Sequence, residues 1–139
     1  MITKQISVFV ENRPGRLAEV TEAIAKNGIN IRALSIADTT HFGILRIIVE
    51  NPNEVEKMLH DMGMTVSITS VLAVKLEDRP GSLAEVLKLL ADENITIEYM
   101  YAFISKEGIK AAFVVMRIEE DLRAVKLLKD HGYEGPSIN

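Results

Sequence analysis

Residues 5–11 alternate along the chain, with Ile6, Val8 and Val10 on one face, which is the period of a β-strand. The period then lengthens: Leu17, Val20, Thr21, Ile24 and Ala25 recur at the spacing of one helical face. Asn27-Gly28 supplies a stop for that helix. Residues 29–37 and 42–50 read as two strands joined by the polar turn Asp38-Thr39-Thr40-His41. Asn51-Pro52-Asn53 opens a second helix carrying Val55, Met58, Leu59 and Met62, and residues 65–69 form a fourth strand. The order is βαββαβ.

The same order returns. Residues 8–31 read VFVENRPGRLAEVTEAIAKNGINI, and 66 residues later residues 74–97 read VKLEDRPGSLAEVLKLLADENITI. Twelve of these 24 positions are identical, a degree of self-similarity that marks an internal repeat. Leu83, Val86, Leu87 and Leu90 repeat the first helical face, and Glu93-Asn94 stands where Asn27-Gly28 ends the first helix. Gly43 and Gly108 each precede a strand-like run, and residues 122–131 read as a helix like residues 55–62. The expected fold class is α+β, a ferredoxin-like βαββαβ unit repeated twice in tandem, each an antiparallel sheet with helices on one face. The domains are residues 1–69 and 70–139. Residues 64–79 contain no Gly or Pro, and as one strand they would reach about 53 Å, more than a small sheet can use. The segment therefore passes from one sheet to the next near Thr69-Ser70. Gly132-Tyr133-Glu134-Gly135-Pro136 is turn chemistry, so the last strand of the second copy is short or absent.

Composition narrows the function. The 139 residues are 47% hydrophobic, too apolar for a disordered chain. Sixteen Lys+Arg against 20 Asp+Glu leave a net charge of -4, which argues against nucleic acid as a partner. There is no cysteine, hence no disulfide, thiol nucleophile or Cys-ligated zinc. The longest apolar runs, residues 99–104 and 111–116, are six residues long, against about 20 for a membrane helix. No signal peptide opens the chain, so the expected location is cytoplasmic and no membrane partner is expected.

The repeated turn carries the candidate chemistry. A strand ends at Glu11 and a helix starts near Gly15, so the first-turn N–H groups and the helix dipole can seat a carboxylate. Gly15 and Gly81 permit close backbone approach, and Pro14 and Pro80 suit a first helical position. The Asn12 amide can both donate and accept, which suits a zwitterion. The competing local reading makes Asn12 and Asp78 ordinary helix N-caps.

The run Glu11-Asn12-Arg13-Pro14-Gly15-Arg16-Leu17-Ala18-Glu19-Val20, followed by Gly28-Ile29-Asn30-Ile31, resembles the signature of the ACT domain, a small amino-acid-sensing regulatory module. It is particularly similar to the form attached to phosphoglycerate dehydrogenase. The resemblance implies ligand binding where two modules meet, with part of the contact set on Asn12 and Asn30 beside the turn of Arg13, Pro14 and Gly15. Arg16, Leu17 and Ile31 flank these positions. The second copy carries Asp78, Arg79, Pro80, Gly81, Ser82 and Leu83 in the turn and Thr96 opposite Asn30. With Asp78 in place of Asn12, the second site is expected to be weaker for a carboxylate or to prefer an ammonium group.

Other candidates have simpler explanations. His41, His60 and His131 form no i, i+4 ligand pair and read as surface residues. Glu119-Glu120-Asp121 reads as a helix start, and the Tyr99, Tyr101, Phe103 stripe as a paired sheet face. No dinucleotide, Walker, zincin or nucleophile-elbow motif occurs. The expectation is a non-enzymatic regulatory protein that needs no cofactor or metal and binds a free amino acid or similar small zwitterion. Its partner would be a separate enzyme subunit. A structural or interaction module with a vestigial ligand site is the alternative, and a small acyl-phosphate hydrolase a more distant one. A homodimer is expected because Ile109, Ala111, Phe113 and Val115 load one face of the second copy while Ala112, Val114 and Met116 load the other.

Overall fold

The computed structural model describes residues 1–38, 41–104 and 111–136. Its elements are β1 (Ile2–Glu11), α1 (Arg16–Lys26), β2 (Ile31–Asp38), β3 (Phe42–Val49), α2 (Pro52–Asp61) and β4 (Val66–Glu77), then α3 (Ser82–Asp92), β5 (Tyr99–Ile104), β6 (Ala111–Arg117) and α4 (Asp121–Asp130). The fold is α+β, with six strands and four helices among the described residues. Two compact units emerge: Lys4–Thr69, and Met1–Thr3 together with the chain from Ser70 onward.

In the unit of Lys4–Thr69 the strands run in the order β2-β3-β1-β4. β1 pairs antiparallel with β3 from Ile6↔Ile47 to Glu11↔Phe42, and β2 pairs with β3 from Ile31↔Val49 to Asp38↔Gly43. The start of β4 flanks β1, whose Phe9 N–H donates to the Thr65 carbonyl at 3.1 Å. The period-two pattern of β1 places Ile6, Val8 and Val10 in the core. Leu45 and Ile47 of β3 join them, packed with Val20 and Ile24 of α1 and Val55 and Leu59 of α2. The opposite parity leaves Phe9 51% and Phe42 49% exposed on the other face.

In the second unit the order is β5-β6-β4, with β4 to β6 paired from Leu72↔Met116 to Glu77↔Ala111. The end of β4 thus takes the place that β1 has in the first unit. Its core comprises Leu72, Val74, Leu76, Val114 and Met116 against Val86, Leu90, Ala124 and Leu128. Ala111, Phe113 and Val115, expected on an open face, are buried as well, and the Phe103 and Phe113 rings stack with centroids 5.1 Å apart. Ile109 lies outside the described residues. Among the described residues, the large exposed apolar side chains include Phe9, Leu34, Ile36 and Phe42 in the first unit and Met100 and Leu122 in the second.

No fourth strand follows α4 among the described residues. The chain leaves that helix through Gly132, at φ 83°, and the edge of β4 is completed by two short pieces. Ala73 N–H donates to the Met1 carbonyl and Lys75 N–H to the Glu134 carbonyl, each at 2.8 Å. Residues two apart present their N–H groups to the same edge, so the two pieces lie side by side there. Gly135 packs so tightly that a Cβ on it would stand 2.8 Å from the Met1 backbone. Gly135→Val should therefore destabilise the protein by about 1–3 kcal/mol through overpacking. Urea denaturation checks this, and an unchanged midpoint would show that Met1 does not hold this position in solution.

Candidate functional site

Each copy folds its Arg-Pro-Gly turn in the same way. Arg13 N–H donates to the Glu11 carbonyl at 2.9 Å, Arg16 N–H to the Arg13 carbonyl at 3.3 Å, and Glu19 N–H to the Gly15 carbonyl at 3.0 Å. The corresponding bonds from Arg79, Ser82 and Glu85 measure 2.9, 3.3 and 3.0 Å. The helices begin at Arg16 and Ser82, so Pro14 and Pro80 lie in the turn before the helix, not at its first position. The N-caps are Gly15 and Gly81, at φ 84° and 88°, with no side-chain capping bond. Asn12 and Asp78 are thus not N-caps, which removes the competing explanation for those side chains. A Cβ on Gly15 would meet nothing within 4 Å. Glycine is required there by the left-handed backbone and not by a close neighbour.

Beside the first turn lies a crevice of about 130 Å³. Its polar side is Glu11, Asn12 and Arg13, and its apolar side is Val10, Leu17, Ile36 and Leu45. Gly43 forms part of the wall between them. The register explains this meeting. Val10 pairs with Gly43 and Ile36 with Leu45, so the end of β1, the start of β3 and the edge strand β2 converge below the turn. Asn12 N–H donates to the His41 carbonyl at 3.2 Å, tying the turn to the loop before β3. A Cβ on Gly43 would lie 3.4 Å from both Asn12 Oδ1 and Ile36 Cγ2, so the absence of a side chain there helps keep the crevice open.

The charges differ between the copies. Arg13 Nε lies 3.1 Å from Glu11 and its Nη1 3.9 Å from Glu19, whose carboxylate is taken by Arg16 at 2.7 Å. In the second copy Ser82 replaces Arg16 and is buried. Glu85 is then free to clamp Arg79, which it does at 2.9 Å while Glu77 holds the same guanidinium at 2.8 Å. The hydrogen bonds Arg79 donates to Glu85 and then to Glu77 push its pKa upward, and the bond from Arg79 pulls the Glu85 carboxyl below the ordinary glutamate range. Because the folded-state pKa of Glu85 is depressed, its contribution is present above the unfolded value and is lost as pH falls through the folded one. Glu85 should therefore titrate below a free glutamate in an NMR pH series, and Arg79→Gln should return it to the ordinary range. Equal midpoints in the two proteins would show that the pair does not form.

The second crevice is also built differently. The residue paired with Leu76, as Gly43 is with Val10, is Ala112 and not Gly108, which lies outside the described residues. Leu83 packs against the second core, whereas its counterpart Leu17 is 39% exposed at the first crevice.

Asn12, Arg13 and Leu17 are thus brought together, with Pro14, Gly15 and Arg16 shaping the turn beside them. Asn30 and Ile31 are elsewhere. Ile31 pairs with Val49 while Glu11 pairs with Phe42, seven residues along β3, or about 23 Å at strand rise. Ile31 packs on the first core and Asn30 is exposed, as is Thr96 in the second copy. Val10, Glu11, Ile36, Gly43 and Leu45 were not among the sequence candidates. Val10 and Glu11 directly precede the turn in the chain, while strand register, which one sequence does not specify, brings Ile36, Gly43 and Leu45 to it.

The remaining polar candidates lie on the surface or at helix ends. His41, His60 and His131 are exposed, and the His131 ring lies 2.9 Å from the Leu127 carbonyl at the end of α4. Glu120 is the N-cap of α4 and Asp121 its first residue. Among the described residues no group of three or more His, Asp or Glu is placed to hold a metal ion. No helix among them is long and apolar enough to cross a membrane.

The family profile described as ACT domain pair matches residues 1–134. The crystal structure of protein BT0572 from Bacteroides thetaiotaomicron is similar at 42% identity, with 96% of this chain and 91% of that chain covered and a TM-score of 0.89. The regulatory subunit of aspartate kinase from Thermus thermophilus, in its ligand-free form, has a TM-score of 0.68 at 15% identity, covering 95% and 97% of the two chains. That from Thermus flavus has a TM-score of 0.66 at 16% identity, covering 94% of each. No curated protein matches the sequence. The repeated strand-turn-helix geometry and the profile that spans both copies agree, and the chain belongs to the ACT domain pair family.

Proposed function

We propose that this chain is a non-enzymatic regulatory protein that binds a free amino acid in the crevice of its first unit and transmits occupancy to a separate partner enzyme. One observation carries the reading: a small cavity lies against the Asn12-Arg13 turn, with polar groups on one side and an apolar wall on the other. Glu11 and Arg13 offer one negative and one positive group close together, the pattern of a zwitterion's own head. The second turn carries Asp78, and its Arg79 is clamped closely by both Glu77 and Glu85, whereas Arg13 is held closely by Glu11 alone, so binding there is weaker. Two proteins of like fold are regulatory subunits of aspartate kinase, which supports action on a separate enzyme. Titration calorimetry with each of the twenty free amino acids tests the proposal. Saturable binding of at least one, weakened by Arg13→Gln, is expected; heat of dilution alone from all twenty would overturn it.

The protein acts as a homodimer in this reading. Phe9 and Phe42 expose aromatic surface on one sheet face, a patch whose burial favours association. A ligand touching both Asn12 and Asn30 would also need them from different copies, given their separation along β3. Sedimentation equilibrium at micromolar concentration should give twice the 15.5 kDa chain mass, and Phe9→Ser with Phe42→Ser should lower it. A single 15.5 kDa species for the unaltered protein would rule the dimer out.

A further inference from the structure

We infer that the first crevice selects amino acids with a small aliphatic side chain, of the size of valine, leucine, isoleucine or methionine; this rests on the amino-acid-binding reading above. The charges set the first limit. Only Glu11 and Arg13 are charged among the residues lining the cavity, and they are ion-paired with each other at 3.1 Å. A zwitterion exchanges that pair for its own two groups, its ammonium at Glu11 and the Asn12 side-chain amide oxygen, its carboxylate at Arg13. Nothing ionic is left for a third charge. The side chain of the ligand then faces Val10, Leu17, Ile36 and Leu45, of which Val10 and Leu45 are buried at the floor. A carboxylate or ammonium set against that floor would lose its hydration without a partner.

Size sets the second limit. An apolar cavity of roughly 150 Å³ can hold benzene, and this one, at about 130 Å³, is slightly smaller. A side chain of about four heavy atoms fills it, whereas a benzyl group, one heavy atom larger than benzene, overfills it. Alanine would leave most of the apolar wall wet. Ile36 is the natural probe of this wall, since it is 46% exposed on the edge strand and its truncation leaves the core intact.

The test is titration calorimetry of the full chain with alanine, valine, leucine, phenylalanine, aspartate and lysine. Leucine or valine should bind roughly tenfold or more tightly than alanine, aspartate and lysine, as an apolar pocket discriminates by apolar contact. Ile36→Ser should weaken leucine several-fold and leave alanine unchanged. Tightest binding of aspartate, lysine or phenylalanine, still lost in Arg13→Gln, would overturn the aliphatic class while leaving amino-acid binding standing. Equal leucine affinity in Ile36→Ser would overturn it too. Failure of all six, with the other fourteen also silent, would remove the binding function itself.

Discussion

Saturating the first crevice should raise the melting temperature by roughly 5–10 °C. A ligand that binds only the folded state at 100 times its dissociation constant adds about 2.7 kcal/mol, and a chain of this length converts each kcal/mol into a few degrees. Gly43→Val should abolish the shift. The Gly43 backbone lies in β3 outside the left-handed region, so a β-branched residue suits it locally. The new methyl groups would project past the 3.4 Å contacts to Asn12 and Ile36 into the cavity. Gly15→Val is the less informative variant, because it strains a left-handed turn without occupying ligand space. Asp78→Asn should keep the shift and add carboxylate binding at the second turn. Differential scanning calorimetry with and without ligand reads all three, and an undiminished shift in Gly43→Val would place the ligand elsewhere.

Leu45→Ala should cost about 2–5 kcal/mol, the usual range for emptying a leucine site in a core. Leu45 is 2% exposed and belongs to the first core, yet it also forms the floor of the crevice. Its truncation should therefore act twice, lowering the urea midpoint and enlarging the cavity. The leucine series described above should shift toward longer side chains in this variant. A stability loss under about 1 kcal/mol would mean that the crevice does not share its floor with the packed core.

The exposed ion pairs contribute little to either measurement. Lys57–Asp61, Lys88–Asp92 and Lys126–Asp130 are i, i+4 pairs on exposed helix faces, of the kind usually worth a few tenths of a kcal/mol.

The sequence by itself determined the repeat, the helix and strand periods, and the turn that carries Asn12 and Arg13. These follow from local rules. Apolar spacing fixes which face of β1 or α1 is buried, and an Arg-Pro-Gly run between a strand and a helix folds the same way in both copies because the hydrogen bonds lie within a few residues. The turn residues Gly132, Gly135 and Pro136 also predicted that the last strand of the second copy is short or absent. Tertiary structure alone decided the rest. Strand register sets Gly43 and Ile36 beside the turn and carries Asn30 away from it, and register depends on long-range pairing that no single segment encodes. Residues 1–3 pack with the second unit because the exposed N–H groups of Ala73 and Lys75 need acceptors, and only the folded chain brings Met1 and Glu134 to them. In sequence the two Arg-Pro-Gly turns already differ at Asn12 and Asp78. In space they part further where Arg16 or its replacement Ser82 decides which arginine the neighbouring glutamate holds.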